Sequence, residues 1–422
     1  MDIFVGVVVG LLVLMFLVTI HELGHFIAAR RNGVRVLEFG ICFPPRAVAW
    51  VKNPKTKKWK KIPRKDWKKP QEGLIFSLNW LPIGGFCQMD GESAADKRPG
   101  TFGKASFWAK TKILFAGVTM NWLAAFIIFT VLAWTGMPEF LDGQFTVPAD
   151  TRTNAVPVQI SEVLEGSPAD KAGLLAGDYI LAIDGNEMLH SSEITDYNKK
   201  HVGEEVTYTV KRTGKMCTNQ PQCIQAPCPC LEEIDGEVTT EKVVTLNPAD
   251  AEYLLGVTMS SSQALSYSTW SAPFVGAGLT LQLTGETFRG VGIMLWNLVS
   301  GVGSQLSPDS SVRQSGQEAI SSVGDSVAGP VGIIGELFPA FTAAGPTNLA
   351  FLAALISVSL ACMNVLPIPA LDGGRWLLIV IYKLRKKELT KEVEERIVSR
   401  AFIVLLALIL IVTVLDIIRI AS

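Results

Sequence analysis

The sequence predicts a polytopic α-helical membrane protein with four transmembrane helices, a β-hairpin or sheet on the cytoplasmic side and a β-rich extracytoplasmic domain. Three observations lead to this fold class. Only 18% of the 422 residues are charged, whereas soluble domains carry about 25%. The chain contains long runs without any charge, and its basic and acidic residues are separated into different segments. The overall balance of 38 basic and 39 acidic residues argues against a nucleic-acid-binding protein.

Four uncharged runs account for the predicted transmembrane helices, because a helix needs about 20 apolar residues to cross a bilayer. Three of these runs give one crossing each. The remaining run, Leu337–Leu371, is the third along the chain and the longest. Pro339, Gly345 and Pro346 interrupt its first half and leave room for one crossing. A cleaved signal peptide is the alternative for the first run, and Asp2 directly after the initiator methionine disfavours it. With flanking residues, the predicted spanning segments are 1–30, 105–137, 337–382 and 401–422.

The distribution of charge sets the predicted orientation, since basic loops stay in the cytoplasm. Residues 30–69 contain 14 Lys and Arg against two acidic residues, and residues 383–400 contain seven Lys and Arg. Residues 138–336 contain 10 basic and 25 acidic residues. We therefore expect the β region 31–104 and the loop 383–400 on the cytoplasmic side, and the long acidic segment outside.

Cysteine usage agrees with this orientation. Cys217, Cys223, Cys228 and Cys230 all fall in the segment that is predicted to lie outside. Four cysteines in an oxidising compartment can form two disulfides in any of three pairings. A metal cluster is the alternative, although their spacing is not a standard zinc pattern.

The motif that carries chemistry is His-Glu-Leu-Gly-His at His21–His25, near the end of the first apolar run. Residues four apart share a helix face, so His21 and His25 can hold one zinc ion, and Glu22 can act as the base for a metal-activated water. Three ionisable side chains within five residues of an apolar helix are costly unless they have a function. The alternative is a polar helix end that reaches the lipid headgroups.

A catalytic zinc ion needs a third protein ligand, and Asp372 is the best candidate. It follows Pro367 and Pro369, which cannot both lie in a regular helix, so the backbone there must unwind. Unwound backbone at membrane depth is tolerated only around a cavity that protein or water lines. In the predicted orientation, Asp372 and the histidine pair both lie in the cytoplasmic half of the membrane. Glu92, Asp90 and Asp416 are weaker candidates.

Several motifs together resemble the site-2 protease family of intramembrane zinc metalloproteases, of the regulator of sigma-E protease (RseP) type. His21–His25 and the stretch Asn364–Gly374 (NVLPIPALDGG) carry the likeness most specifically. Leu81–Phe86 resembles the family's glycine-containing hairpin, and Ala116–Asn121 resembles its alanine–glycine–proline–x–x–asparagine motif, with Val118 in place of the proline.

This resemblance implies a zinc metalloendopeptidase in the inner (plasma) membrane of a bacterium. It implies that His21, His25 and Asp372 bind zinc and that Glu22 is the catalytic base. The residues that it implies for substrate binding are Asn364, Pro367, Pro369, Gly84 and Gly85. The implied reaction is regulated intramembrane proteolysis, in which the transmembrane segment of an anti-sigma factor or a remnant signal peptide is cut.

A substrate helix must unwind before its peptide bonds are accessible, and an edge strand that pairs with it would stabilise the extended form. Residues 34–51 and 74–91 are predicted to supply such strands, with Gly84 and Gly85 in a tight turn. The alternative is a sheet that only caps the cytoplasmic face. Basic and aromatic residues alternate in 52–69, which suits anionic lipid headgroups or serves only to fix the topology.

The acidic segment contains a predicted domain over 138–263, with short apolar strands at 179–183, 206–210 and 243–246. It resembles a single PDZ domain of bacterial envelope proteases, which implies binding of an extended peptide or a free C-terminus. Residues 215–235 look like an insertion in this domain. Residues 264–336 are predicted to form an amphipathic helix at the membrane surface and a flexible linker.

The favoured prediction is therefore an intramembrane zinc endopeptidase that acts on single-span membrane proteins. A membrane-anchored PDZ scaffold or receptor with a structural metal is the alternative, but such a protein has no need of Glu22. A metal transporter is a second alternative, and it would need charged residues in several spans.

Overall fold

The computed structural model divides into two compact units. The helical unit comprises residues 1–135, 145–147 and 269–422, and the sheet unit comprises 136–144 and 148–268. The structure describes residues 2–421 except 54–55, 68, 70, 94, 142, 155–156, 189–190, 218–232, 248–253, 260–264, 306–312, 315–316 and 318–328.

The described helices are α1 (Asp2–Arg31), α2 (Phe107–Thr135), α3 (Pro168–Lys171), α4 (Ser191–Lys200), α5 (Ala272–Gln305), α6 (Pro330–Gly332), α7 (Phe338–Ala343), α8 (Pro346–Val365), α9 (Asp372–Leu384) and α10 (Lys391–Ala421). A π-helical turn, Ile333–Leu337, joins α6 to α7. Among the described residues, four helices are long and apolar enough to cross a membrane: Ile3–Arg31, Phe107–Thr135, Pro346–Val365 and Lys391–Val414. They fall on the four uncharged runs of the sequence.

Helix α5 differs from the amphipathic surface helix predicted within 264–336. It packs lengthwise and closely against α2, which is possible because residue 276 is glycine. A Cβ on Gly276 would come within 2.4 Å of Thr130 Oγ1. Two turns later, Thr284 lies within hydrogen-bonding reach of the Cys362 thiol on α8. Small residues on one face allow this close approach between helices, and α5 therefore runs alongside the bundle through its first half.

The strands of the helical unit form one sheet, in the order β2–β1–β3, from β1 (Val36–Lys52), β2 (Trp59–Lys61) and β3 (Leu74–Met89). The two long strands confirm the strands predicted at 34–51 and 74–91. Both halves of β3 pair with the first half of β1: Phe39 is opposite Cys87 on one side and Phe76 on the other. Phe39, Phe76 and Phe26 of α1 pack edge to face, which fixes the sheet against α1.

Strand β3 reverses its direction between Leu78 and Gly85, which both pair with Ile41. Gly84 has a φ of +73°, the positive value that such a turn requires, as the sequence predicts. Both glycines lie within β3, where the strand crosses α1. A Cβ on Gly84 would come within 2.8 Å of Val18 Cγ1, and one on Gly85 within 2.9 Å of the Gly40 carbonyl oxygen. Gly84 therefore allows a close approach between β3 and α1, just before the histidine motif, and Gly85 allows a close approach between β3 and β1.

The sheet unit contains a larger sheet of order β10–β9–β7–β6–β11, in which β8 also pairs with β7, and a small sheet of order β4–β12–β5. Its strands are β4 (Met137–Pro138), β5 (Arg152–Asn154), β6 (Val158–Val163), β7 (Tyr179–Ile183), β8 (Asn186–Glu187), β9 (Glu205–Cys217), β10 (Glu233–Thr245), β11 (Val257–Met259) and β12 (Leu265–Tyr267). The three strands predicted from the sequence coincide with β7 and with parts of β9 and β10. The apolar side chains that face inward from these strands, such as Ile160, Ile180 and Val210, are fully buried.

The two ends of the predicted insertion 215–235 belong to β9 and β10, whose last described pair joins Cys217 and Glu233. Residues 218–232 of the insertion lie outside the described residues. Cys223, Cys228 and Cys230 fall outside the described residues, so their pairing stays a prediction.

Candidate metal centre

Three side chains from two helices converge in the helical unit. His21 and His25 lie one turn apart on α1, and Asp372 is the first residue of α9. The Nε2 atoms of the two histidines are 3.1 Å apart. Asp372 Oδ2 is 3.2 Å from His21 Nε2 and 3.3 Å from His25 Nε2. Both histidines are buried, and the Asp372 side chain is 16% exposed. The structure thus brings together the three residues that the sequence predicts as ligands.

The spacing of these atoms fits a zinc ion. Zinc–nitrogen and zinc–oxygen distances of about 2.0–2.1 Å with tetrahedral angles place neighbouring ligand atoms about 3.3–3.4 Å apart. The three observed separations between His21, His25 and Asp372 are 3.1–3.3 Å. Two imidazole nitrogens and one carboxylate also form a ligand set that zinc prefers.

Hydrogen bonds on the far side of each ring orient the histidines. His25 Nδ1–H donates to the Ile113 carbonyl oxygen at 2.9 Å, which leaves the Nε2 lone pair directed at the centre. His21 Nδ1 lies 3.4 Å from the Asn121 amide, whose Oδ1 has no described hydrogen-bond partner. Rotation of that amide by 180° brings Oδ1 to His21 Nδ1–H as an acceptor, and His21 then also presents Nε2. With the Asn121 amide in that orientation, both rings have the tautomer that a metal requires.

Gly117 on α2 makes room for the histidine pair. A Cβ at this position would come within 2.6 Å of His21 Nε2 and 2.7 Å of His25 Nε2. Only glycine allows α2 to approach α1 this closely. The motif Ala116–Asn121, which contains Gly117, resembles a family motif in sequence. Its contact with the ligands follows only from the packing of α2 on α1.

Glu22 lies beside the ligand group without being part of the triangle. His21, Glu22 and His25 each offer one oxygen or nitrogen atom within 4.8 Å of the others. Cys87 in β3 lines the same cavity as Glu22, and its backbone N–H lies beside the Glu22 carboxylate. Glu22 therefore lies between the centre and the strand.

The break between α8 and α9 positions Asp372. Helix α8 ends at Val365, and α9 begins only at Asp372, which confirms the unwound backbone predicted from the two prolines. The chain folds back so tightly that a Cβ on Gly373 would come within 2.1 Å of the Val365 carbonyl oxygen, and one on Gly374 within 2.0 Å of the Ile368 carbonyl oxygen. The two glycines after Asp372 are thus required for the fold of this loop.

A cavity of about 250 Å³ surrounds the centre. Of the predicted substrate-binding residues, Asn364 lines it, whereas Pro367, Pro369, Gly84 and Gly85 are absent from its described lining. Arg375 and Glu92 also line the cavity, and Arg375 Nη2 donates to the Glu92 carbonyl oxygen at 3.0 Å. Sequence reasoning gave Arg375 no role at the site, although its position one turn after Asp372 could have indicated one.

The structure separates the weaker candidates for the third ligand. Glu92 lines the cavity, but its Oε1 accepts the Met89 N–H. Asp90 pairs with Arg35 and Arg98. Asp416 accepts the backbone N–H groups of Gly329 and Gly332 at 3.1 and 3.0 Å, at the start of α6. The geometry therefore favours Asp372.

Long apolar helices that enclose a His-Glu-x-x-His pair and a converging carboxylate define a class of protein, the membrane zinc metalloproteases. Comparison with known proteins agrees. The chain is 27% identical to a putative zinc metalloprotease of Clostridium acetobutylicum, over 98% of each chain. It is 28% identical to the chloroplastic membrane metalloprotease ARASP of Arabidopsis thaliana, over 98% of this chain and 79% of the relative. It is 24% identical to the zinc metalloprotease RasP of Bacillus licheniformis, over 98% and 99%.

A model of peptidase family M50 matches residues 9–409, so the chain belongs to that family, the site-2 proteases. The protein is a zinc metalloprotease of the membrane.

Proposed function

We propose that this protein cleaves peptide bonds within the transmembrane segments of single-span membrane proteins, with His21, His25 and Asp372 as the zinc ligands and Glu22 as the general base. The observation that carries the proposal is the 3.1–3.3 Å triangle of ligand atoms, which is built on an apolar helix long enough to cross a membrane. A charged cluster in such a helix is costly and marks function.

Zinc, when bound, supplies a Lewis acid that acidifies water and polarises a peptide carbonyl. The protein's own residues handle the proton. Glu22 takes a proton from water in the cavity and delivers it to the nitrogen of the leaving amine. The backbone N–H of Cys87, which lies beside the Glu22 carboxylate, is suited to orient it for both transfers. The Nδ1–H of His25 donates to the Ile113 carbonyl oxygen, and the Nδ1–H of His21 faces the Asn121 amide. Neither ring therefore competes for the proton that Glu22 moves.

Strand β3 is suited to hold an unwound substrate. It is the terminal strand of its sheet in the described residues, and its second half, including Cys87, reaches the cavity at Glu22. An extended peptide that adds to a free strand edge gains main-chain hydrogen bonds without a demand on sequence. A substrate in this position would bring its carbonyl groups past Glu22. Asn364, on the opposite wall, would then contact the same segment.

The sheet unit has a second free edge that suits peptide capture. Strand β11 is terminal in the five-strand path of its sheet and pairs with β6 alone among the described strands. A PDZ domain binds an extended peptide or C-terminus at such an edge, and we assign that role to this unit. The charge asymmetry of the sequence supports an extracytoplasmic location for this unit at the inner membrane of a bacterium and a cytoplasmic one for the β1–β3 sheet.

The test is cleavage of a single-span model substrate in proteoliposomes by the wild type, by Glu22→Gln and by Glu72→Gln. Glu72 is exposed and controls for the loss of one carboxylate. We expect cleavage by the wild type and Glu72→Gln, none by Glu22→Gln, and equal zinc content in all three. Full cleavage by Glu22→Gln would refute its role as base. Zinc without cleavage of any substrate tested would favour a scaffold with a structural metal.

A further inference from the structure

A second cavity in the helical unit, of about 220 Å³, lies between the start of α2 and the end of α9. Three lysines line it: Lys110 from α2, Lys383 from the last turn of α9 and Lys387 from the loop that follows. No acidic residue is among its described lining, whereas acidic side chains line the cavity at the metal centre and the larger cavity beside it. This cavity is therefore the one of the three with a purely basic charge.

The lysines are not neutralised within the described part of the chain. None of the three has a described carboxylate within ion-pair distance, although Lys97 nearby is paired with Glu388. Glu394 acts on Lys110 only through its longer-range field. The Lys383 ammonium instead lies 3.7 Å from the centroid of the Phe107 ring, a cation–π contact that holds it at the cavity. The Lys110 ammonium lies 5.7 Å from the centroid of the Phe102 ring. Three lysines without a described carboxylate partner at one cavity favour an anionic ligand.

The remaining walls are apolar and amphipathic. Phe107, Ile379 and Leu389 supply the apolar surface, and Tyr382 supplies a hydroxyl group. Trp108 and Leu384 follow the lining residues Phe107 and Lys383 in sequence, and they are 70% and 77% exposed. Phe107 begins the α2 helix that is long enough to span a membrane, so the cavity lies at the level where spanning helices meet the headgroups. An exposed tryptophan is typical of that level.

We propose that this cavity binds the phosphate of an anionic phospholipid headgroup, with Lys110, Lys383 and Lys387 as its cationic ligands. Basic pockets between transmembrane helices bind anionic headgroups in this way. The phosphodiester meets the three ammonium groups and accepts from the Tyr382 hydroxyl, and the acyl chains extend along Trp108 and Leu384. A soluble phosphate would match the lysines equally but would leave these two exposed apolar side chains in water.

The experiment counts phosphatidylglycerol retained by the zinc-loaded, full-length protein in detergent, by native mass spectrometry over a lipid titration. The wild type is compared with the triple variant Lys110→Gln, Lys383→Gln, Lys387→Gln. Each lysine near an anionic surface contributes about fivefold in affinity, so we expect retention to fall tenfold or more. The triple replacement by arginine should retain the lipid. A triple glutamine variant that binds as the wild type does would overturn the proposal.

The matched control is Lys171→Gln, Lys199→Gln, Lys200→Gln, which removes the same charge from exposed positions of the sheet unit. An equal loss in this control would show a non-specific charge effect and would refute the site. If the first triple variant does not fold, Lys387→Glu in the exposed loop takes its place, with an expected loss of more than fivefold. Displacement of the lipid by millimolar inorganic phosphate, or equal retention of phosphatidylcholine, would overturn the assignment to an anionic lipid.

Discussion

Two aspartates, Asp178 in the sheet unit and Asp372 in the helical unit, differ in how their charge is satisfied. Asp178 in the sheet unit has a side chain that is 1% exposed. Arg212 donates to both of its oxygens, Nε at 2.5 Å and Nη2 at 2.6 Å, and the Leu175 N–H donates to Oδ2 at 2.9 Å. Asp372 in the helical unit faces His21 and His25, whose Nε2 lone pairs converge on the same point.

The difference separates a structural carboxylate from a functional one. At Asp178 the protein supplies the counter-charge itself, so the site is complete. At Asp372 three acceptor atoms lie within 3.3 Å of one another, and a cation is needed to hold them together. Burial alone therefore does not identify a metal ligand, whereas a set of converging acceptors without donors does.

Asp372→Asn should have the largest effect on function. The amide removes the anionic ligand, and because replacement of residues that merely support a ligand already costs 10- to 100-fold in metal affinity, we expect zinc to bind at least about 100-fold more weakly and cleavage to be lost. Zinc content by atomic absorption and cleavage of a model substrate measure this. Asp416→Asn, which removes a helix-capping carboxylate, should keep its zinc. Normal zinc content in Asp372→Asn would contradict its role.

Asp178→Asn should give the converse result. It leaves the Arg212 guanidinium, whose side chain is 19% exposed, without its anionic partner. Because water partly hydrates this charge, we expect a loss of about 1–3 kcal/mol in the free energy of unfolding of the sheet unit, with zinc content unchanged. Denaturant unfolding followed by circular dichroism measures the first quantity. Lys171→Met, at an exposed position, is the control. Loss of zinc in Asp178→Asn would remove the distinction drawn between the two aspartates.

Gly117→Ala tests whether the close approach of α2 is what aligns the ligands. The added methyl group lies 2.6 Å from His21 Nε2, so the ring must move, and we expect zinc affinity to fall by about 10- to 100-fold. Competition with a fluorescent chelator measures it. Gly285→Ala on α5, where a Cβ meets nothing within 4 Å, should leave the affinity unchanged. Equal affinities for both variants would show that α2 does not align the site.

Asn121→Leu should have the smallest effect, about tenfold in zinc affinity, because it removes the hydrogen bond behind one ring and keeps every ligand. The same chelator competition measures it. Asn32→Ala, which removes a hydrogen bond to Ala28 at the end of α1, is the control. An unchanged affinity in Asn121→Leu would mean that His21 is oriented by packing alone.

Much of the site could be predicted because its key residues are defined by short sequence motifs. His21 and His25 are four residues apart on a helix, and Pro367 and Pro369 dictate the break that precedes Asp372. The sequence also indicated where α1, α2, α8 and α10 lie. An uncharged apolar run of about 20 residues is compatible with few structures other than a membrane-spanning helix. The close approaches at Gly84 and Gly85 and the packing of α5 could not be predicted, because each depends on a partner segment that is remote in sequence.

The sequence alone determined the class of this protein, the long apolar helices and the residues able to bind a metal. Periodicity, charge and proline placement are local properties, and their effects do not depend on contacts between segments that are distant in sequence. Only the tertiary structure decided that Gly117 and Asn121 lie against the ligands, that Cys87 lies beside Glu22, and that three lysines from α2, α9 and the next loop share one cavity. These contacts arise where separate helices and strands pack, and the spacing of residues along the chain does not encode the distances between them.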